Sequence, residues 1–89
     1  MRFSVIVPAY QAERTLPPLL TSLTLQTFKD FELLVVDDCS SDGTARIANS
    51  YPCKVLRMPE NRGPARCRNE GARSAVGEIL VFTDSDCEV

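Results

Sequence analysis

The 89-residue chain has no histidine, and its four cysteines, Cys39, Cys53, Cys67 and Cys87, stand 14, 14 and 20 residues apart without a C-x-x-C pair. Both absences argue against a zinc site, whose ligands come as closely spaced thiols or as thiol and imidazole together. A disulfide scaffold is not called for either, because the strands and helices read below are adequate to build a core. The cysteines therefore read as free thiols of a reducing compartment, which places the chain in the cytoplasm. A large excess of one charge sign is missing as well. The net charge of −2 lacks the basic stripe of a general nucleic-acid binder. No apolar run is long enough to cross a bilayer. The opening residues do not show the charged-then-apolar pattern of a secretory signal.

What remains is ordinary for a small soluble domain: 44% hydrophobic and 25% charged residues. Residues 3–7 are mostly apolar and β-branched and are broken by Pro8, which predicts a buried strand. Leu16, Leu19, Leu20 and Leu23 follow the i, i+3, i+4, i+7 spacing of a one-faced helix. Pro17 and Pro18 fit that helix only in its first turn, where amide donors are unpaired anyway. Residues 31–36 form a second buried strand and residues 44–50 a short helix opened by capping side chains in Ser40-Ser41-Asp42-Gly43. Residues 53–58 alternate and predict a weaker strand nearer a sheet edge. Pro64 opens a third helix reaching about Val76, rich in small residues (Ala65, Gly71, Ala72, Ala75) that permit close approach to a sheet. Gly77 ends it, and residues 78–83 make the fourth strand, expected to be buried.

The resulting α/β order, βαβαβαβ, predicts a Rossmann-like parallel sheet with right-handed crossovers and helices on both faces. All strand carboxyl ends then share one rim, where open α/β sheets bind ligands. Two strands end in acid there, one at Asp37-Asp38 and the other at Asp84-Ser85-Asp86. Paired carboxylates on a rigid strand end suit a divalent cation that bridges protein to phosphate oxygens. The chain stops soon after this last strand, so it is expected to be part of a larger domain.

Several segments together resemble the family 2 glycosyltransferases of the GT-A fold. Ser4-Val5-Ile6-Val7-Pro8-Ala9-Tyr10 is similar to that family's first strand and nucleotide loop, and residues 35–44 to its second strand and following turn. Asn61-Arg62-Gly63-Pro64-Ala65, Arg68-Asn69 and Gly71 resemble the loop and helix before the fourth strand, and Asp84-Ser85-Asp86 the D-x-D motif. Gln11 departs from the asparagine usual there, which a longer amide can replace as a hydrogen-bonding group. The resemblance implies that residues 1–89 are the nucleotide-sugar-binding half of a transferase domain. It implies transfer of a sugar from a nucleotide donor, expected to be UDP-linked, to an acceptor hydroxyl, with Mn²⁺ or Mg²⁺ assistance and inversion. The acceptor is a carbohydrate, lipid or protein, and the general base is expected outside these residues. By themselves these residues are expected to bind nucleotide at most, and membrane association is expected only through regions beyond them.

The implied roles can be set beside plainer ones. Asp38 would accept the imide N–H of a uracil-type base, whereas Asp37 reads as capping the turn. Tyr10 would pack on base or ribose, Glu13 would lie near the same pocket, and Pro8 and Ala9 would shape it through their backbone. Without the resemblance, Tyr10 is equally a strand-end aromatic and Glu13 a first-turn helix acid. Asp86 would ligate the metal directly, while Asp84 would reach the ribose or hold the ion through water, with Ser85 between them. Arg68 would face the diphosphate; Arg66 reads as a solvated helix residue and Gly63 as a turn glycine. A receiver-type signalling domain with an Mg-binding acidic pair is the main alternative, although its pair should follow the first strand and not the second. The loop after the first strand lacks the glycines of a dinucleotide site.

Overall fold

The computed structural model describes residues 3–25 and 30–83. Its elements are β1 (Phe3–Ala9), α1 (Leu16–Thr24), β2 (Phe31–Asp37), α2 (Thr44–Asn49), β3 (Lys54–Arg57), α3 (Pro64–Ser74) and β4 (Ile79–Phe82). Each predicted element is present within a few residues of its expected bounds. Pro17 and Pro18 stand in the first turn of α1, as their missing amide hydrogens require.

The four strands form one sheet in the order β3-β2-β1-β4, and every pair is parallel. Alternation along the strands divides the core between two faces. Val5, Val7, Leu33 and Val35 face the α1–α2 side, where Leu16, Leu19, Leu20 and Ala48 close over them. Ile6 and Val36 face the other side and meet Cys67 of α3. Helices therefore cover both faces. Gly71 shows why α3 needs small residues: a Cβ there would lie 2.5 Å from Cγ2 of Ile6.

Strand order adds what periodicity could not supply. The chain winds outward from β1 through β2 to β3, then returns to the far side of β1 for β4. This reversal is a topological switch point, the place where open α/β sheets present a crevice. β2 and β4, the two strands followed by acids, flank β1 and run in the same direction. β4, expected to be buried, stands at one edge of the sheet among the described residues, with β1 as its strand neighbour. Its Ile79, Leu80, Val81 and Phe82 are between 38 and 45% exposed there. β3 occupies the other edge, as its alternation indicated.

The buried polar groups are as informative as the apolar ones. Glu32 is buried near the start of β2, where Ser4 Oγ (2.6 Å) and Val76 N (2.6 Å) both donate to its Oε2. Burial by itself would raise the Glu32 pKa. The bonds from Ser4 and Val76 and the nearby Lys54 ammonium outweigh it and hold the carboxyl below its ordinary range. A lowered pKa contributes stability that is complete above the unfolded value of about 4.5 and is lost as pH falls through the folded value. Urea midpoints of the chain and of Glu32→Gln should therefore differ at pH 7 and converge towards pH 3. A gap that stays constant across that interval would refute the charge-dependent part of this bond set.

Candidate nucleotide-binding site

The carboxyl rim of the sheet carries a cavity of about 640 Å³. Its walls come from four stretches: Pro8 to Ala12 with Thr15 at and beyond the end of β1, Asp38 after β2, Asn61 with Gly63 and Pro64 at the start of α3, and Cys67 with Arg68 further along α3. Positions 64, 67, 68 and 71 share one side of α3 at helical spacing, so the same helix both packs on the sheet and lines the cavity.

Two loops are interlocked to make this wall. Gln11 takes a left-handed backbone conformation (φ 49°), turning the chain sharply at the end of β1. Its amide donates to Ser40 Oγ (2.9 Å), and the amides of Ala12 and Glu13 donate to Thr44 Oγ1 (2.9 Å) and Asp42 Oδ2 (3.3 Å). In the reverse direction, Gln11 Oε1 accepts the amides of Ser41 (2.7 Å) and Asp42 (3.3 Å). The longer amide thus keeps the bonds for which the loop needs a side-chain carbonyl. Asp42 also binds the Thr44 hydroxyl. Burial would raise the Asp42 pKa, but the Thr44 hydroxyl and amide outweigh it and lower it.

The two acids after β2 divide their work as expected only in part. Asp37 is fully buried and accepts the Ser40 amide (3.2 Å), so it does fasten the turn. Among the described residues its other oxygen accepts no hydrogen bond, and it faces Nε of Arg57 at 3.6 Å, a charge partner that offsets its burial. Asp38 is also buried, with Oδ1 accepting the Arg62 amide and Oδ2 the Gly63 amide, each at 2.8 Å. Asp38 therefore fixes the loop that opens α3 and at the same time lines the cavity. Two amides leave a carboxylate with unused lone pairs, so a further donor can be accepted. Gly63 has φ of 90° and serves as the turn glycine it was read to be.

The remaining expected site residues separate clearly. Pro8, Ala9, Tyr10 and Arg68 line the cavity with Asp38, and Tyr10 is half exposed at its wall. Glu13 is not among the lining residues; its carboxylate lies 3.9 Å from Arg46 on the outside of the loop pair. Arg66 points to Glu70 (3.8 Å) on the exposed side of α3. Asp84, Ser85 and Asp86 lie outside the described residues. Among the described residues no group of three acids or thiols is gathered for a metal.

Cys67, like Ala12 and Thr15, is a lining residue the sequence did not announce. It is fully buried, and its thiol is pushed up to about 12 by burial and by the neighbouring Asp38 carboxylate. It acts as a compact neutral wall and not as a nucleophile. Its helical spacing from Pro64 and Gly71 was the available signal. Cys39, Cys53 and Cys67 are free thiols.

Residues 4–89 match the sequence profile described as Glycosyl transferase family 2. The chain belongs to this family. Among curated relatives of this family 2 chain, the poly(ribitol-phosphate) beta-N-acetylglucosaminyltransferase TarS of Staphylococcus aureus is 44% identical over 93 residues. That alignment takes in 97% of this chain and 16% of TarS. The crystal structure of S. aureus TarS 1-349 in complex with UDP-GlcNAc superposes with a TM-score of 0.92 at 43% identity, covering 97% of this chain and 27% of that one. The mannosyltransferase PcManGT of Pyrobaculum calidifontis, in complex with GDP-Man and Mn²⁺, superposes with a TM-score of 0.87 at 33% identity, covering 98% and 28%. The family 2 chain thus spans less than a third of the length of these relatives, and its fold is the GT-A fold the resemblance implied. The receiver-type alternative is not favoured, since the acid pair follows β2 and the family match covers nearly every residue.

Proposed function

We propose that these residues form the donor-binding part of a glycosyltransferase that moves a sugar from a UDP-sugar to an acceptor hydroxyl. The supporting observation is the cavity at the sheet rim, which unites the β1 loop, Asp38 and Arg68 in a chain 43% identical to a structure holding UDP-GlcNAc. In this reading Asp38 accepts the uracil imide N–H with the lone pairs left over from Arg62 and Gly63. The half-exposed Tyr10 ring packs against base or ribose, while Pro8 and Ala9 give the pocket its backbone edge. Arg68, on the opposite wall, faces the negative diphosphate.

Asp84, Ser85 and Asp86 follow in sequence on β4, whose direction is towards the same rim, and in this reading they would complete the donor site. Asp86 would hold a divalent cation directly, with Asp84 on the ribose or joined through water. Such a cation stabilises the charge that builds on the departing nucleoside diphosphate. The Mn²⁺ in the PcManGT complex supports a cation of this kind. The transfer is a single displacement with inversion. The general base and the acceptor site belong to residues beyond these 89, and the free thiols suit a cytoplasmic setting, including the cytoplasmic face of a membrane.

Calorimetric titration with UDP, GDP and dTDP, each with and without Mn²⁺, tests the reading. UDP should bind in preference to the others, with Mn²⁺ strengthening uptake and Asp86→Ala removing that gain. Equal UDP binding with and without Mn²⁺ would reject the cation role. Failure of all three nucleotides to bind would reject the donor site itself.

A further inference from the structure

β4 has an apolar sequence that cannot choose its own register. A strand with one buried face is pinned because a one-residue slip exposes its hydrophobic set. Ile79-Leu80-Val81-Phe82 is apolar at every position, so a slip exchanges one hydrophobe for another. Yet the strand pairs with β1 in a single register, Phe3 beside Ile79 through Ile6 beside Phe82. The hydrophobic pattern alone does not select it.

The selecting contacts lie at the pole opposite the cavity. Glu32 brings a charge into a strand that otherwise reads as core, an expensive choice unless its partners are well placed. Its Oε2 accepts both Ser4 Oγ and the amide of Val76, each at 2.6 Å. Ser4, fully buried on β1, in turn accepts the amide of Gly77 at 2.8 Å. The other oxygen, Oε1, lies 3.3 Å from Nζ of Lys54 at the start of β3. One carboxylate therefore joins three strands, directly and through Ser4, to Val76 and Gly77, two of the four residues that lead from α3 into β4. The fit is tight: a Cβ on Gly77 would come within 2.6 Å of the Phe3 carbonyl carbon and 2.7 Å of the Ser4 nitrogen. Two residues later, Ile79 takes its place beside Phe3.

We propose that Glu32, acting through Ser4 and the amides of Val76 and Gly77, is a positioning residue that sets the register of β4 on β1. A slip of one residue would move the end of β4 by about 3.3 Å along the sheet. The latch thus fixes, from the far pole, how far the end of β4 at Phe82 reaches towards the nucleotide rim. That last consequence rests on the functional reading above; the latch itself does not.

Hydrogen exchange of the chain, read peptide by peptide, tests it. In Ser4→Ala and in Glu32→Gln, protection of residues 79–83 should fall at least about tenfold while the centre of β1 and β2 keeps its protection. Glutamine retains an oxygen for Ser4 and Val76 but turns an amide donor towards Lys54. The double variant Glu32→Gln with Lys54→Met should therefore recover protection in β4. Unchanged β4 exchange in both single variants would overturn the proposal. A uniform loss over all strands would overturn it too, because that is the signature of general destabilisation. If Glu32→Gln does not fold, Ser4→Ala decides, since it leaves the carboxylate its Val76 and Lys54 partners. Titration of the same proteins with UDP separates the two claims: selective loosening of β4 in a chain that takes up no UDP keeps the latch and rejects the donor site.

Discussion

Replacing Asp38 with alanine should abolish measurable UDP uptake and lower the stability of the chain by about 2–4 kcal/mol. The stability term follows from the two backbone amides that Asp38 satisfies, those of Arg62 and Gly63 at 2.8 Å each. A partly buried donor that loses its acceptor costs roughly 1–3 kcal/mol, and both donors are lost together. The binding term has two sources, since the same change removes the acceptor for the base and frees the loop that carries Asn61, Gly63 and Pro64 into the cavity wall. Asp38→Asn separates them. It retains one carbonyl oxygen for one amide and presents an NH₂ to the other, so it should hold part of the stability while opposing a base N–H donor. Thermal melts alongside UDP calorimetry read both quantities. Asp38→Asn binding UDP with full affinity would remove Asp38 from base recognition and leave it a loop anchor only.

How far the sequence disclosed this architecture depends on the range over which each signal acts. Apolar runs and leucine spacing are local, and they placed β1, α1 and β2 correctly; Leu16, Leu19 and Leu20 are all buried as their spacing required. Small residues in α3 foretold its close seating on the sheet, which Gly71 displays against Ile6 and Val36. Parallel alternation put Asp38 and the end of β4 on one rim without any knowledge of neighbours. Strand order is different, because no local property says that β4 returns beside β1 and not beside β3. Gln11 was legible as an amide at a loop, but its carbonyl serves Ser41 and Asp42, 30 and 31 residues onward. The outward pairing of Glu13 with Arg46 likewise depends on how two loops meet. Glu32 looked like an unremarked charge in an apolar strand until its partners at Ser4 and Val76, 28 and 44 residues away, were in place.

Gly77→Ala is the second large expected effect, and it contrasts with the same change at Gly71. At Gly71 the new methyl would press on side-chain methyl groups of Ile6 and Val36, at 2.5 and 3.2 Å. Overpacking of that kind costs about 1–3 kcal/mol. Alanine in a helix interior returns about 1 kcal/mol, so the net loss at Gly71 is modest. At Gly77 the new Cβ would meet backbone, the Phe3 carbonyl carbon at 2.6 Å and the Ser4 nitrogen at 2.7 Å, as well as Ser4 Oγ at 2.5 Å. No rotamer can relieve a clash with two main-chain atoms. Gly77 follows α3 and precedes β4, so no helix-propensity gain offsets the clash. The connection must lift from β1, which breaks the Gly77–Ser4 bond and strips Glu32 of its Val76 amide. Gly77→Ala should therefore cost at least about 3 kcal/mol and exceed Gly71→Ala in a urea titration of both variants. Its damage should begin at residues 79–83, which ought to lose exchange protection before β2 does. Equal stability losses at the two glycines would show that the α3–β4 connection is not pressed on β1 as tightly as these distances require.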